Sequence, residues 1–195
     1  MASADLEHEH DHESDNDDEE LDAQVEVRRR VALAQIRQYP DAVLRLRAND
    51  VDRFDENLVR LAERMTELMH DARGVGLAAT QVGVLQRLFV FQPNEAAEAT
   101  VVVNPELVAR SAETDLADEG CLSLQGVHVP VEREIAVTLH GLDLEGKPLR
   151  LELEGPPARI VQHEIDHLDG VLMIERTDPE SRREALATLR HRPAL

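Results

Sequence analysis

The chain has 195 residues, a formal charge of −19, 2% aromatic residues and one cysteine, Cys121. This length suits a single domain with a real core. Without a Lys/Arg-rich stripe interleaved with aromatics there is no footprint for DNA, and no apolar run approaches the ~20 residues that span a bilayer. A lone cysteine excludes an intrachain disulfide and leaves a thiol that is buried, reactive or ligating.

The charge is uneven. Residues 1–26 hold 12 Asp and Glu and no Lys or Arg, which leaves −7 of the −19 to the rest of the chain. Such a stretch repels itself and has little to bury, so residues 1–27 are expected to form a disordered acidic tail and residues 28–195 the folded domain. His8, His10 and His12 alternate with acids in the tail. Short His-rich tracts can bind a divalent metal loosely, although a solvated tail is the plainer reading. The N-terminus lacks the basic and apolar regions of a signal peptide and is too acidic for a transit peptide, so cytoplasmic residence is expected.

Beyond the tail, Leu58, Leu61, Met65, Leu68 and Met69 recur at spacings of three and four, which predicts an amphipathic helix over Asn57–His70. Asp55 or Asn57 can cap it, and Gly74 lies just past its end. LQRLFVFQ and TVVV (100–103) read as strands, the second stopped by Asn104-Pro105. Ile135, Val137 and Leu139 alternate with Glu134, Ala136 and Thr138, and Leu149, Leu151 and Leu153 alternate with charges. With Glu145-Gly146 as a turn between them, these runs form an antiparallel meander with one apolar face.

Pro156-Pro157 suits a helix start, and Gly170 a helix end. Between them Val161, Ile165 and Leu168 share one stripe, with Ile160, His163 and His167 beside it. A last helix is expected from Pro179 to about Leu189, capped by Asp178. Helix, strands and helix in blocks predict an α+β domain, in which antiparallel strands pack around a central HExxH-bearing helix, flanked by an N-terminal and a C-terminal helix.

On that central helix His163 and His167 lie four apart on one face, with Glu164 beside them, so both imidazoles can reach one ion. Two histidines hold a metal weakly, and H-E-x-x-H alone fits either a metal site or an ordinary helix whose histidines bond to neighbours. Cys121, in Asp118-Glu119-Gly120-Cys121-Leu122-Ser123, offers a thiolate that suits zinc or ferrous iron, but is equally readable as an inert buried thiol. GVGLAATQVG lacks the order of a dinucleotide or P-loop motif. Its glycines and alanines permit close approach of another backbone, such as an extended peptide, and Gln81 adds an amide donor able to stabilise an oxyanion.

Three stretches in order, GVGLAATQ (74–81), EGCLS (119–123) and QHEIDH (162–167), resemble peptide deformylase. With the upstream YPDAVLR (39–45), the resemblance covers roughly residues 34–176. It implies a hydrolase that removes the formyl group from N-formylmethionine of new polypeptides. It also implies one divalent metal held by Cys121, His163 and His167, with Fe2+ as the native ion and Zn2+, Ni2+ or Co2+ able to take its place. Glu164 would then carry the proton, Gln81 and the Leu122 backbone N–H would meet the oxyanion, and Val75, Gly76 and Ile160 would bind the substrate.

Thr80 and Gln125 stand where the family often has proline. Neither is expected to touch a ligand or the proton carrier, so only loop stiffness should differ. Arg133 matches a common family arginine and is expected to pair with Glu119. The basic segment with Arg182, Arg183, Arg190, His191 and Arg192 is a candidate contact for the ribosome, against the plainer reading of a solvated face. Two other functions compete. A broader H-E-x-x-H peptidase would usually draw a third His or Glu ligand from downstream, where His191 is the only histidine after Gly170, so that an upstream cysteine fits better, and a silent metal-binding protein would have no use for Glu164 and Gln81.

Overall fold

The computed structural model describes residues 10–94 and 96–190, with side chains from residue 22 onward. His8, His191 and Arg192 lie outside the described residues, and His10 and His12 outside the described side chains. Helix α1 spans His10–Gln35 and α2 spans Glu56–Asp71. Strands follow at β1 (Gly76–Ala78), β2 (Leu88–Phe91), β3 (Thr100–Arg110), β4 (Thr114–Gly120), β5 (His128–Glu134), β6 (Ala136–Leu142) and β7 (Pro148–Glu154). Helices α3 (Pro156–Leu168) and α4 (Pro179–Arg190) complete the α+β fold.

Five strands form an antiparallel sheet in the order β1-β2-β3-β6-β7, and β4 and β5 form a separate two-stranded ribbon. Every residue of β2 is buried, because the sheet is covered on both faces. Leu88 and Val90 point to α1 and α2, packing with Leu33, Met65 and Met69. Phe89 and Phe91 point the other way, into the cluster made by Val161, Ile165 and Leu168 of α3. Alternate side chains of one strand thus serve two helical layers. The ribbon packs separately: Val129 and Val131 of β5 join Leu172, Met173, Ile174 and Ala185 of α4.

The expected helix at 57–70 forms with the expected cap, since Asp55 Oδ1 accepts from the Asn57 and Leu58 amides. Its end differs by one residue. Arg73, not Gly74, takes the left-handed conformation at φ 57°, with the Gly74 amide returning to the Met69 carbonyl. Helix α4 begins as expected, Asp178 Oδ1 accepting from Glu180 and Ser181. The meander is β6 and β7, with Leu139 opposite Leu151, while Ile135 falls in the bend before β6.

Two expectations fail. TVVV does not stop at Asn104-Pro105 but continues to Arg110 through a register shift between Val103 and Glu106. Proline tolerates such a bulge, and Asn104, at φ 49°, replaces lost strand pairing with side-chain bonds: its Oδ1 accepts from the Val51 amide and its Nδ2 donates to the Val51 carbonyl. The predicted disordered tail through residue 27 is a helix from His10 onward. Ala32, Leu33 and Ile36 dock this helix on α2, which supplies the nucleus that an isolated acidic peptide lacks, and acids near a helix N-terminus complement its dipole.

Candidate active site

Helix α3 starts at Pro156 and Pro157, where missing amide hydrogens cost nothing, and it buries Val161, Ile165 and Leu168 against the sheet. That packing turns the neighbouring stripe toward the ribbon, where β4 ends at Gly120 and the chain turns at Cys121–Leu124. The ligand-type atoms of Cys121, His163 and His167 consequently lie within 4.8 Å of one another. The Cys121 sulfur is 3.2 Å from His167 Nε2, and the two rings meet edge to face with centroids 4.9 Å apart. The Ser123 amide donates to the sulfur at 3.4 Å.

His163 Nδ1 lies 2.9 Å from Glu119 Oε2, which fixes the ring and leaves the other nitrogen for the cluster. Glu119 is in turn clamped by Arg133, Nε to Oε1 and the second terminal nitrogen to Oε2, both at 2.9 Å. The expected Glu119–Arg133 pair is therefore present, and it belongs to a larger network. Arg133 also donates to Asp166 at 2.6 Å, Asp166 receives two bonds from Arg176, and Arg159 donates to Glu119 at 2.9 Å. Burial raises the Glu119 carboxyl, but the bonds and charges of Arg133 and His163 outweigh that and hold it at about 2.

Burial lowers both histidines. At His163 the hydrogen bonds of Cys121 and Glu119 and the charges of Cys121 and Glu164 reverse the effect and raise it well above its ordinary value, whereas His167 stays well below, pushed further by the charges of His163 and Arg133. Glu164 is pushed up to about 7, chiefly by burial, with the charge of Glu119 adding to it and those of His163 and Arg133 opposing. Its Oε2 is buried without a hydrogen-bond partner, and so is His167 Nδ1. Its Oε1 rests on the bare backbone of Gly76, where a Cβ would sit 2.3 Å away. Glycine is needed at 76 because the acid occupies the space of a side chain.

Gln81 is 2% exposed. Its Oε1 accepts from the Ala78 amide, while Nε2 donates to Ser123 Oγ and lies 3.7 Å from the Cys121 sulfur. Val75, Gly76, Gln81, Cys121, Leu122, Ile160, His163 and Glu164 all border one cleft of about 540 Å³. Its side wall is β1, an edge strand, with an exposed Val75 at its mouth. All nine site residues named from the sequence are thus in one place, with His167 beneath the floor.

The expectation that Thr80 touches no ligand is corrected: its hydroxyl donates to the His167 backbone carbonyl at 3.2 Å, so it braces the end of α3. Sequence reasoning also missed Asp166, Arg159 and Arg176. A hint existed in Asp166, a charge on a helix stripe that otherwise reads as core.

A buried acid poised near neutrality, beside a thiol and two imidazoles at the foot of a peptide-wide cleft, is equipment for metal-assisted hydrolysis of an amide. Known proteins narrow that class. The chain belongs to the polypeptide deformylase family, which it matches over residues 33–183. It is 47% identical over 148 residues to a peptide deformylase of Thermotoga neapolitana, covering 76% of this chain and 89% of that one. To peptide deformylase 1 of Corynebacterium glutamicum it is 43% identical over 162 residues, 82% of this chain and 96% of the other. The crystal structure of a peptide deformylase from Legionella pneumophila superposes with a TM-score of 0.76 at 40% identity, covering 81% of this chain and 98% of that one.

Proposed function

We propose that Cys121, His163 and His167 hold one divalent ion and that Glu164 moves the protons of formyl-amide hydrolysis, with α3 as the central metal-binding helix of the fold. The chain is a hydrolase that removes the formyl group from N-formylmethionine of newly made polypeptides and releases formate. The observation that carries the site assignment is the convergence of three donor atoms within 4.8 Å next to a buried carboxyl held near 7.

One sulfur and two imidazole nitrogens suit Fe2+, and equally Zn2+, Ni2+ or Co2+; ferrous iron is our assignment. When bound, such an ion acts as a Lewis acid that makes water more acidic and polarises the formyl oxygen. Glu164 takes the proton of the attacking water and returns it to the departing amine nitrogen, two duties for which a value near 7 is suited. The Leu122 amide and Gln81 Nε2 donate to the developing oxyanion, a role supported by the approach of Nε2 to the Cys121 sulfur. The substrate adds as a strand to the edge of β1 at Val75 and Gly76, and Ile160, one turn before His163, borders the methionine side chain.

Residues 28–195 form the catalytic unit in this reading, with the acidic segment as an appendage. Among the described residues no helix is long and apolar enough to cross a membrane, and we place the enzyme in the cytoplasm. Arg182, Arg183 and Arg190 of α4, with the following His191 and Arg192, are our candidate ribosome contact.

The decisive experiment gives formyl-Met-Ala to protein loaded anaerobically with Fe2+ or Ni2+. Formate is the expected product, and Glu164→Ala is expected to retain the metal but lose turnover. Cleavage of unformylated peptides without formate would overturn the reading.

A further inference from the structure

The chemistry above leaves two arginines of the cleft unused. Arg29 comes from α1, one turn before Leu33, and lies ahead of the residues that match the family. Arg73 comes from the end of α2 and borders the same cleft. Leu33, one turn after Arg29, and Ala72, next to Arg73, pack in one apolar cluster, which brings both cations to the same end.

Neither is committed to a strong partner. Arg29 makes a 3.6 Å ion pair with Glu26 on its own helix, keeps a 41% exposed side chain and has an unpartnered Nε. Arg73 is exposed, and among the described residues no carboxylate stands at ion-pair distance from it. It also holds a left-handed backbone that glycine adopts at less cost, a sign that the side chain is worth keeping. Arg159, by contrast, is spent on Glu119, Asp115 and the Val131 carbonyl. Asp118 and His128 border the cleft from the ribbon side, and both are exposed.

A substrate whose formyl end meets Glu164 beside Gly76 can leave in one direction only. Inward, β1 continues into buried Leu77 and Ala78, so the downstream peptide must run out past Val75 and Gly74 toward Arg73 and Arg29. From Gly76 to Arg73 is three residues, roughly 10 Å of extended chain. That span corresponds to the second or third substrate residue after methionine.

We propose that Arg29 and Arg73 form an anion-favouring exit that selects formyl-methionyl peptides with Asp or Glu at the second or third residue after methionine. The inference rests on the deformylase reading. Its test compares kcat/KM for formyl-Met-Ala-Glu-Ala and formyl-Met-Ala-Lys-Ala on the metal-loaded full chain. Dye-labelled Met-Ala-Glu-Ala and Met-Ala-Lys-Ala are titrated in parallel by fluorescence anisotropy.

The Glu peptide is expected to be favoured about fivefold at low salt, the worth of one or two exposed ion pairs. The difference should lie mainly in KM and shrink as salt screens it. Arg29→Lys with Arg73→Lys is expected to keep the preference, and Arg29→Glu with Arg73→Glu to invert it, which a merely structural role would not do. Equal use of the two peptides by the wild-type protein, or an unchanged ratio in the double Glu variant, overturns the proposal. Absence of formate from both peptides would overturn the deformylase reading instead, and the anisotropy ratio would still decide the charge preference.

Discussion

Arg133 is the keystone of the network behind the site, and Arg133→Met isolates its contribution. The guanidinium is 6% exposed and makes three short bonds, two to Glu119 and one to Asp166. Methionine fills similar space but leaves two buried carboxylates short of a cation, a loss typically worth 3–5 kcal/mol. Glu119 would keep Arg159 and His163, and Asp166 would keep Arg176, so the lower end applies, about 3 kcal/mol. For a chain of this size that is a fall in Tm of roughly 6–12 °C. The loss should depend on pH with a definite sign. Glu119 sits at about 2, below its ordinary 4.5, so its stabilisation is present above that ordinary value and disappears as pH falls toward 2. The gap between variant and wild type should therefore be full at pH 7 and narrow from pH 5 downward. Urea denaturation of chelator-treated protein between pH 7 and 3 measures it. Because Glu119 orients His163, a competition assay should also show metal affinity weakened about 10- to 100-fold. A deficit below about 1 kcal/mol, or one that widens as pH falls, would refute this account of the network.

Two further outcomes are expected. Gly76→Ala places a Cβ 2.3 Å from Glu164 Oε1 and must displace the acid, so formate release should fall about 100-fold while metal content is unchanged. Turnover within threefold of wild type would mean that Glu164 is not held where the backbone places it. If Glu164 is the proton acceptor as proposed, its ionised form is the active one, so kcat/KM should fall on the acid side with a midpoint at or below 7, a nearby cation favouring the carboxylate. A rate that is flat from pH 8 to 5 would remove Glu164 from that role.

What could be read from the sequence follows from how local each determinant is. The α2 helix was legible because its cap and its apolar stripe lie within one short segment, and β6 and β7 because each buries one face of a period-two pattern. The ribbon was not legible. Strand β4 reads Thr-Asp-Leu-Ala-Asp-Glu-Gly, with Leu116 65% exposed, and it becomes a strand by pairing with β5 while α4 covers the ribbon's apolar residues. The same holds for β3, where Asn104 substitutes for strand pairing through a residue 53 positions away. Helix α1 depends on docking against α2, which no acidic stretch announces.

The site divides along the same line. The residues proposed to act on the substrate or hold the ion, Cys121, His163, Glu164, His167 and Gln81, sit in short motifs that are recognisable in the sequence. Those that hold them in place do not, because Arg133, Arg159 and Arg176 reach across from other elements and look in sequence like any surface arginine. Three arginines serve two acids there, Glu119 and Asp166, and this explains how Glu119 can stay ionised only one bond from His163; Glu164, next along the helix, is held near neutrality chiefly by burial, with the charge of Glu119 adding to it and that of Arg133 opposing. In the proposed mechanism, proton transfer at Glu164 would therefore depend on charge balance set by residues that never approach the substrate, and alterations to that balance should move the pH dependence before they alter the positions of Cys121, His163 and His167.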